Sequence, residues 1–266
     1  MADADDLLRA GDLEGARQAL NEAAKKSPSD QGVRMFLFQL LCLMGQWDKA
    51  KIQLRTLSGL SPAAQMLVVT YNLAIDAEMV RERVFAGEEP PALLSTGSSW
   101  AGDLAAALGA EAQGRHAEAE ERRAKAFDAA PDTPGQLDGV AFDWIADGDA
   151  RFGPAFEAIV QGRWGLAPFD AVERIESEGP KDLRDLVWLP AQVAFRTGQS
   201  VNALLPARYP GSQNAEDAAL RLARRTDWRE APWGQEGVGQ HEWSLGGCET
   251  DAGLLSLRLL TFDAAS

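Results

Sequence analysis

Gly11-Asp-Leu-Glu-Gly-Ala16, Gly45-Gln-Trp-Asp-Lys-Ala50 and Gly114-Arg-His-Ala-Glu-Ala119 are three copies of one phrase, a glycine followed five residues later by an alanine. The first two copies start 34 residues apart; the third starts 69 residues after the second, close to two further periods. A proline stands 17 residues after each opening glycine, at Pro28, Pro62 and Pro131. A period of about 34 residues is that of a tetratricopeptide helix–turn–helix unit. In such a unit glycine makes the tight turn between the helices, since it enters left-handed backbone without a Cβ penalty. Alanine lets the two helices approach, and proline ends the second because it lacks an N–H. The phrase predicts a short helical solenoid, an architecture whose surfaces bind other proteins.

Outward from these turns, Leu7, Leu8, Leu13, Ala16, Leu20 and Ala24 recur at three- and four-residue steps and give the first helical pair one apolar stripe. Ser27-Pro28-Ser29-Asp30 breaks that pair and offers a cap to the next helix. Residues 31–44 are apolar nearly all round, which predicts a helix buried between neighbours, and Lys49–Leu60 supplies its partner. The third period lacks the glycine phrase. Ala63–Phe85 reads as one long helix, followed by breaker-rich Gly87-Glu-Glu-Pro-Pro91 and Ser95-Thr-Gly-Ser-Ser99, an insertion expected on one face of the solenoid. Trp100–Ala130 resumes the helical grammar, and the charges crowding its last helix read as a solvated face that ends the array.

Pro131-Asp-Thr-Pro-Gly135 marks a boundary, which divides the chain into a repeat domain, 1–133, and a second domain, 137–266. Six of the eight tryptophans lie beyond residue 140, and short apolar runs punctuated by glycine replace the helical stripes. Val140–Ile145, Phe156–Val160, Trp164–Phe169, Leu186–Phe195, Val201–Leu205 and Leu254–Phe262 read as strands. Pro190 argues for an edge position or a bulge within its run. Arg196-Thr-Gly-Gln199 reads as a hairpin turn, whereas Ala215–Arg225 fits helix or strand equally. The fold class expected is α+β, an all-α TPR-like repeat followed by a mostly-β barrel or strongly bent sheet.

The net charge of −14 is shared between the halves: residues 1–135 carry 20 acidic and 14 basic side chains, and the rest carry 20 and 12. Without a basic stripe, nucleic acid is not an expected partner. No run approaches the roughly 18 to 20 apolar residues of a membrane span, and the acidic start, Met-Ala-Asp-Ala-Asp-Asp, does not read as a signal peptide. A cytoplasmic protein without a membrane partner is the expectation. Cys42 and Cys248, one in each half, are read as free thiols.

The sequence carries few groupings of catalytic or ligating residues. His116 lies in a repeat turn and reads as a surface or packing residue. The sequence contains no phosphate-binding loop, no nucleophile elbow and no Cys/His cluster at metal-ligand spacing, so no cofactor and no metal are expected. Gly234-Gln-Glu-Gly-Val-Gly239 reads as a simple turn. Asp143, Asp147, Asp149 and Glu157 form a carboxylate cluster that could hold a hard cation, but it lacks the spacing of a calcium loop. A hairpin turn whose aspartates bond their own backbone explains it better. Among aromatic residues, Tyr209, Trp228 and Trp233 lie in or near loops rich in Pro and Gly, where such residues can serve as binding hot spots. Core packing is the competing role, and Trp233 is the one expected to be exposed.

With these residues in view, the chain resembles the ImpE family, also called TagJ or SciE-type proteins, of bacterial type VI secretion clusters. The likeness rests on Leu8-Arg-Ala-Gly-Asp-Leu13, Phe36-Leu-Phe-Gln-Leu-Leu41 and the phrase at Gly45 in the first half. In the second it rests on Asp182-Leu-Arg-Asp-Leu186, Leu205-Pro-Ala-Arg-Tyr-Pro-Gly-Ser212 and Arg225-Thr-Asp-Trp228. The resemblance implies a helical-repeat domain, an SH3-like β domain and a non-enzymatic accessory role. It also implies contact with the small subunit of the contractile sheath and, in some members, with the AAA+ ATPase that recycles sheath. An amphipathic segment matching residues 5–20 is implied for the ATPase contact, although Leu7, Leu8 and Leu13 are also what the first repeat needs for its core. Repeat grooves are lined by first-helix residues, so Gln31, Arg34 and the exposed side of 63–80 are the expected contacts for a partner helix. Competing functions are a small-molecule sensor or cryptic enzyme in the β domain, and a generic repeat scaffold unrelated to secretion.

Overall fold

A computed structural model describes residues 2–264. Seven helices build the first half: α1 (Ala2–Arg9), α2 (Leu13–Lys26), α3 (Gln31–Leu43), α4 (Trp47–Leu60), α5 (Gln65–Phe85), α6 (Ala101–Ala112) and α7 (His116–Ala129). Gly11, Gly45 and Gly114 make the turns α1–α2, α3–α4 and α6–α7 with φ of 84°, 66° and 73°. In each turn the two N–H groups at and after the glycine bond back to carbonyls of the preceding helix, as Gly45 to Cys42 and Gln46 to Leu41. Ala16, Ala50 and Ala119 are fully buried where the paired helices meet. The helices α2, α4 and α7 stop just before Pro28, Pro62 and Pro131. Asp30 caps α3 by accepting from the Val33 N–H at 3.0 Å.

The third period contains the same turn in disguise. At Gly87 φ is 77°, and Gly87 and Glu88 donate back to Val84 and Arg83. No second helix follows, because Pro90 and Pro91 cannot continue one. The chain instead runs to the sheet, where Leu94 N–H bonds Leu166 O at 2.9 Å and Leu166 N–H bonds Ala92 O at 2.8 Å. The insertion thus joins the edge of the sheet.

The second half contains β1 (Gly135–Leu137), β2 (Val140–Phe142), β3 (Ile145–Asp147), β4 (Ala155–Val160), β5 (Arg163–Pro168), β6 (Val172–Glu176), β7 (Trp188–Phe195) and β8 (Ser200–Pro206). A single turn of helix, α8 (Ala218–Arg221), precedes β9 (Thr226–Ala231), β10 (Gly234–Gly239), β11 (Glu242–Leu245), β12 (Ala252–Gly253) and β13 (Leu259–Phe262). Eight strands form one antiparallel sheet in the order β2-β1-β13-β6-β7-β8-β4-β5. Three strands, β12-β11-β3, form a second sheet, and β9 and β10 a hairpin. The sheets do not close into a barrel; the large sheet stays open, with β2 and β5 at its edges.

Three local readings are corrected. Residues 234–239 are strand β10, not a turn, and their glycines answer to packing: a Cβ on Gly237 would lie 2.2 Å from the Tyr209 ring. The strand holding Pro190 is interior, between β6 and β7's other neighbour β8; Pro190 is tolerated because β6 pairing stops at Gln192, and its carbonyl accepts the Ser177 hydroxyl at 2.8 Å. Residues 254–262 are strand only from Leu259, after a 3-10 turn at 254–256. The turn at 196–199 joins β7 and β8 as expected, with Gly198 at φ 84°.

Among the described residues two large apolar cores result, beside a small cluster of Ala215, Leu220 and Val238. One is built from the second half, with Leu94 packed against it, around Phe156, Phe169, Trp243 and Phe262. The other runs from Ala4 through the helices to Ile159, Trp164, Trp188 and Tyr209, and so crosses the proposed boundary between 1–133 and 137–266. Strand β4 sits between them: Ala155, Glu157 and Ile159 face α5, while Phe156 and Ala158 face the second core. The second half also seats on the repeat turns. A Cβ on Gly45 would meet Gln213 at 2.8 Å, and one on Gly11 would meet Ala218 at 2.9 Å. Arg208 donates to Leu43 O at 2.9 Å, placing a cation at the negative end of α3.

Candidate functional site

The residues singled out in the sequence separate into three places. Leu13 is buried and Leu7 and Leu8 pack against the same core, so the first-helix leucines are engaged within the repeat. Gln31 is exposed at the start of α3, and half-buried Arg34 bonds Pro28 O at 3.1 Å and Gln53 at 2.9 Å. Tyr209 belongs to the opposite end of α3, beside Arg208. It is fully buried and offers a partner nothing; Trp228 packs edge-on against it with centroids 5.6 Å apart. Trp233 is only half-buried, at the tip of the β9–β10 hairpin, where it stacks on His116 at 6.1 Å. The hairpin tip therefore leans on the start of α7.

The surface that is open lies elsewhere. Met66, Val69 and Leu73 follow one another at three- and four-residue steps along α5, with exposures of 77%, 57% and 45%. Ile52 of α4 adds a fourth exposed apolar side chain, at 53%. Val69 and Leu73 of this row line a cleft of about 890 Å³ between α5 and strands β7 and β8. Pro190 and Leu204 pair across those strands in the cleft, and Gln192 and Asn202 form the next pair. α5 packs on β5 and reaches β4 through Arg81, whereas the far side of the cleft, along β7 and β8, is bordered by residues 176–181, Asp185 and Arg258. Residues 63–80 thus present exposed apolar side chains, and Tyr209, Trp228 and Trp233 lie away from them.

Sequence reasoning missed the polar centre behind this cleft. Arg81 of α5 grips Glu157 of β4 with two bonds of 2.6 Å each, and also reaches Glu78 at 3.3 Å and Arg208 O at 2.9 Å. Glu157 accepts further bonds from Trp164 and from His241 Nε2, both at 2.9 Å. His241 Nδ1 lies 2.8 Å from Asp147, whose other oxygen accepts the Tyr209 hydroxyl at 2.9 Å. Glu78 accepts the Trp188 indole N–H at 2.9 Å. Every charged member is under 8% exposed. Burial alone would lower the His241 pKa, but the carboxylates of Asp147 and Glu157 outweigh it and raise it to about 9, so both ring nitrogens donate. Burial alone would raise Glu157; Arg81 and His241 instead bring it to about 2. For Asp147 and Glu78 burial prevails and the pKa rises.

The network takes up Asp147, Asp149 and Glu157 of the carboxylate cluster. Asp147 accepts the Asp149 N–H, and Asp149 accepts the Arg151 N–H, both at 2.9 Å, as a turn stabilised by its own aspartates requires. Tyr209 shares the Asp147 oxygen that accepts the Asp149 N–H, and the remaining oxygens are taken by His241, Arg151 and the Gly237 N–H. Among the described residues no group of three or more His, Cys, Asp or Glu is arranged to hold a metal ion. Cys42 and Cys248 are free thiols.

Comparison with known proteins follows the two halves. The tetratricopeptide repeat model matches residues 7–67, and the model described as ImpE protein matches residues 139–261. Over 263 residues the chain is 43% identical to the type VI secretion system accessory component TagJ of Pseudomonas aeruginosa, covering 98% of this chain and 91% of that protein. The chain belongs to the ImpE family. The fold has a counterpart in the crystal structure of a Vibrio parahaemolyticus protein, with a TM-score of 0.86 over 98% of both chains at 22% identity. The ImpE match contains Asp147, Glu157, Tyr209 and His241, whereas Glu78 and Arg81 lie outside both matched segments. No described helix is long and apolar enough to cross a membrane.

Proposed function

We propose that the protein is a non-enzymatic adaptor of a type VI secretion system that holds the small sheath subunit, taking an amphipathic helix of that subunit into the cleft beside α5. The observation that carries the reading is the exposed pair Val69 and Leu73, which lines the cleft opposite Pro190 and Leu204 of β7 and β8 and is continued along α5 by Met66. A helix laid there would bury its apolar side on the row, Pro190 and Leu204, and turn a polar flank to Gln192 and Asn202. A relative that is a type VI accessory component supports the system, and the repeat architecture supports a protein partner. The sheath-recycling ATPase is the second partner in this reading. Catalysis finds no support in the polar centre, because Asp147, His241 and Glu157 are sealed and the hydroxyl that Asp147 accepts belongs to buried Tyr209.

The test is affinity purification of the tagged protein from cells expressing its own secretion cluster, followed by mass spectrometry. Sheath subunit should be recovered with wild type and lost with Val69→Asp/Leu73→Asp, which replaces side chains already facing water. Reproducible absence of sheath subunit and ATPase, at good bait yield, would sink the adaptor reading.

A further inference from the structure

We infer that the buried chain Glu78–Arg81–Glu157–His241–Asp147 holds α5 at one fixed pose on the sheet, and so sets the width of the cleft beside it. The inference rests on the proposed function only in taking that cleft as the binding surface. Apolar contacts between α5 and the sheet, such as Ile75, Ala74 and Ile159, are non-directional and would tolerate sliding of one layer on the other. The polar centre would not. A guanidinium meeting a carboxylate through two parallel bonds has one geometry. Glu157 is also tied from behind by His241, and His241 by Asp147 at the end of β3, so β3, β4 and α5 are joined through one chain of bonds. Glu78, one turn before Arg81, is bonded to Trp188 at the start of β7, the strand that forms the cleft floor. The two anchors lie on one helix and engage two different strands, which fixes rotation as well as translation of α5. These are positioning residues: none of them lines the cleft.

The test is a distance measurement across the cleft in the full chain, which involves no partner and can fail while the adaptor reading stands. Spin labels go on Thr70→Cys and Asn202→Cys, both exposed on opposite sides of the cleft, with Cys248→Ser and buried Cys42 left in place. The wild-type background should give one narrow distance distribution by double electron–electron resonance. Arg81→Met and His241→Leu should broaden or displace it while circular dichroism retains helix and strand. Arg81→Lys keeps the charge without the fork and should recover part of the narrowing. Folded Arg81→Met and His241→Leu proteins with the wild-type distribution, whatever their melting temperature, would overturn the inference.

If those variants do not fold, wild type decides. Raising pH past about 9 removes the His241 proton. The groups facing the ring are Asp147 from β3, Glu157 from β4 with Arg81 and Glu78 behind it on α5, and Tyr209 from the loop after β8, with Asp149 and Arg151 beyond Asp147. The distribution should broaden reversibly across that pH while secondary structure holds. A distribution unchanged at pH 10, in protein whose His241 ring is shown by nuclear magnetic resonance to lose its proton between pH 8 and 10, would refute the inference on its own.

Discussion

His241 is a histidine whose two nitrogens both face carboxylates in a site closed to water. In the unfolded chain it titrates near 6.5, and in the folded chain near 9. Below pH 6.5 both states hold the proton and the stabilisation is complete. Between 6.5 and 9 only the folded state holds it, so stability falls as pH rises, by on the order of 3 kcal/mol over the whole window. Urea unfolding followed from pH 6.5 to 8, below the range of ordinary thiol titration, should show this decline, and His241→Gln should flatten it. A wild-type curve already flat would mean the ring is neutral in the folded state. No comparable acid limb is expected from this centre alone, because burial raises Asp147 while Arg81 and His241 lower Glu157, and the two oppose each other. Glycine makes a second residue-scale contrast. Gly59, within α4, has open space around it, so Gly59→Ala should stabilise by about 0.5 kcal/mol through helix propensity. Gly237→Ala drives a methyl into the buried Tyr209 ring, which its bond to Asp147 holds in place, and should destabilise by about 1–3 kcal/mol. Thermal melts that ranked the two the other way would place Gly237 outside the packed centre.

Elements were legible where one periodicity governed a whole segment. The helix pairs follow from glycine, alanine and proline at fixed spacing, and the same logic predicts that Ala50→Trp, at a fully buried helix contact, destabilises by about 1–3 kcal/mol or more. A melting temperature equal to wild type would show that α3 and α4 do not meet there. Legibility failed where an element is shaped by something distant in sequence. The Gly87 turn carries the repeat geometry without its phrase, because the following helix is replaced by a proline-containing stretch that pairs with β5. β10 reads as a turn because half its residues are glycine, yet those glycines admit the Tyr209 ring and the Arg225 carbonyl. β6, Val172-Glu-Arg-Ile-Glu176, is too short and too charged to stand out, and only its place between β13 and β7 makes it a strand. The polar centre had a partial signal in the carboxylate cluster, which held both Asp147 and Glu157. Its other members are scattered at 78, 81 and 241, and only the layer contact brings them together.

At the scale of the molecule, composition and chain order imply two domains, whereas the packing joins them. The core that begins at Ala4 includes Trp164, Trp188 and Tyr209 of the second half, and the turns at Gly11 and Gly45 are covered by Ala218 and Gln213. Division into 1–133 and 137–266 is thus a proposal about architecture, and separate stability is a different matter. Cut at the boundary, the second half would expose Ile159, Trp164 and Trp188 and leave Glu157 without Arg81. Removing one partner of a buried ion pair is typically worth about 3–5 kcal/mol, a large part of a domain's whole stability. The intact chain should therefore unfold in one transition, with far- and near-ultraviolet circular dichroism changing together. Fragment 1–133 should keep helix content but melt well below the intact chain, and 137–266 should bind a hydrophobic dye. Mixing the fragments should restore the near-ultraviolet signal and suppress dye binding, because the surfaces they bury are each other's. Two fragments that each melted as sharply and as high as the intact chain would show that the shared core adds little, and that the two halves are held together by the chain alone.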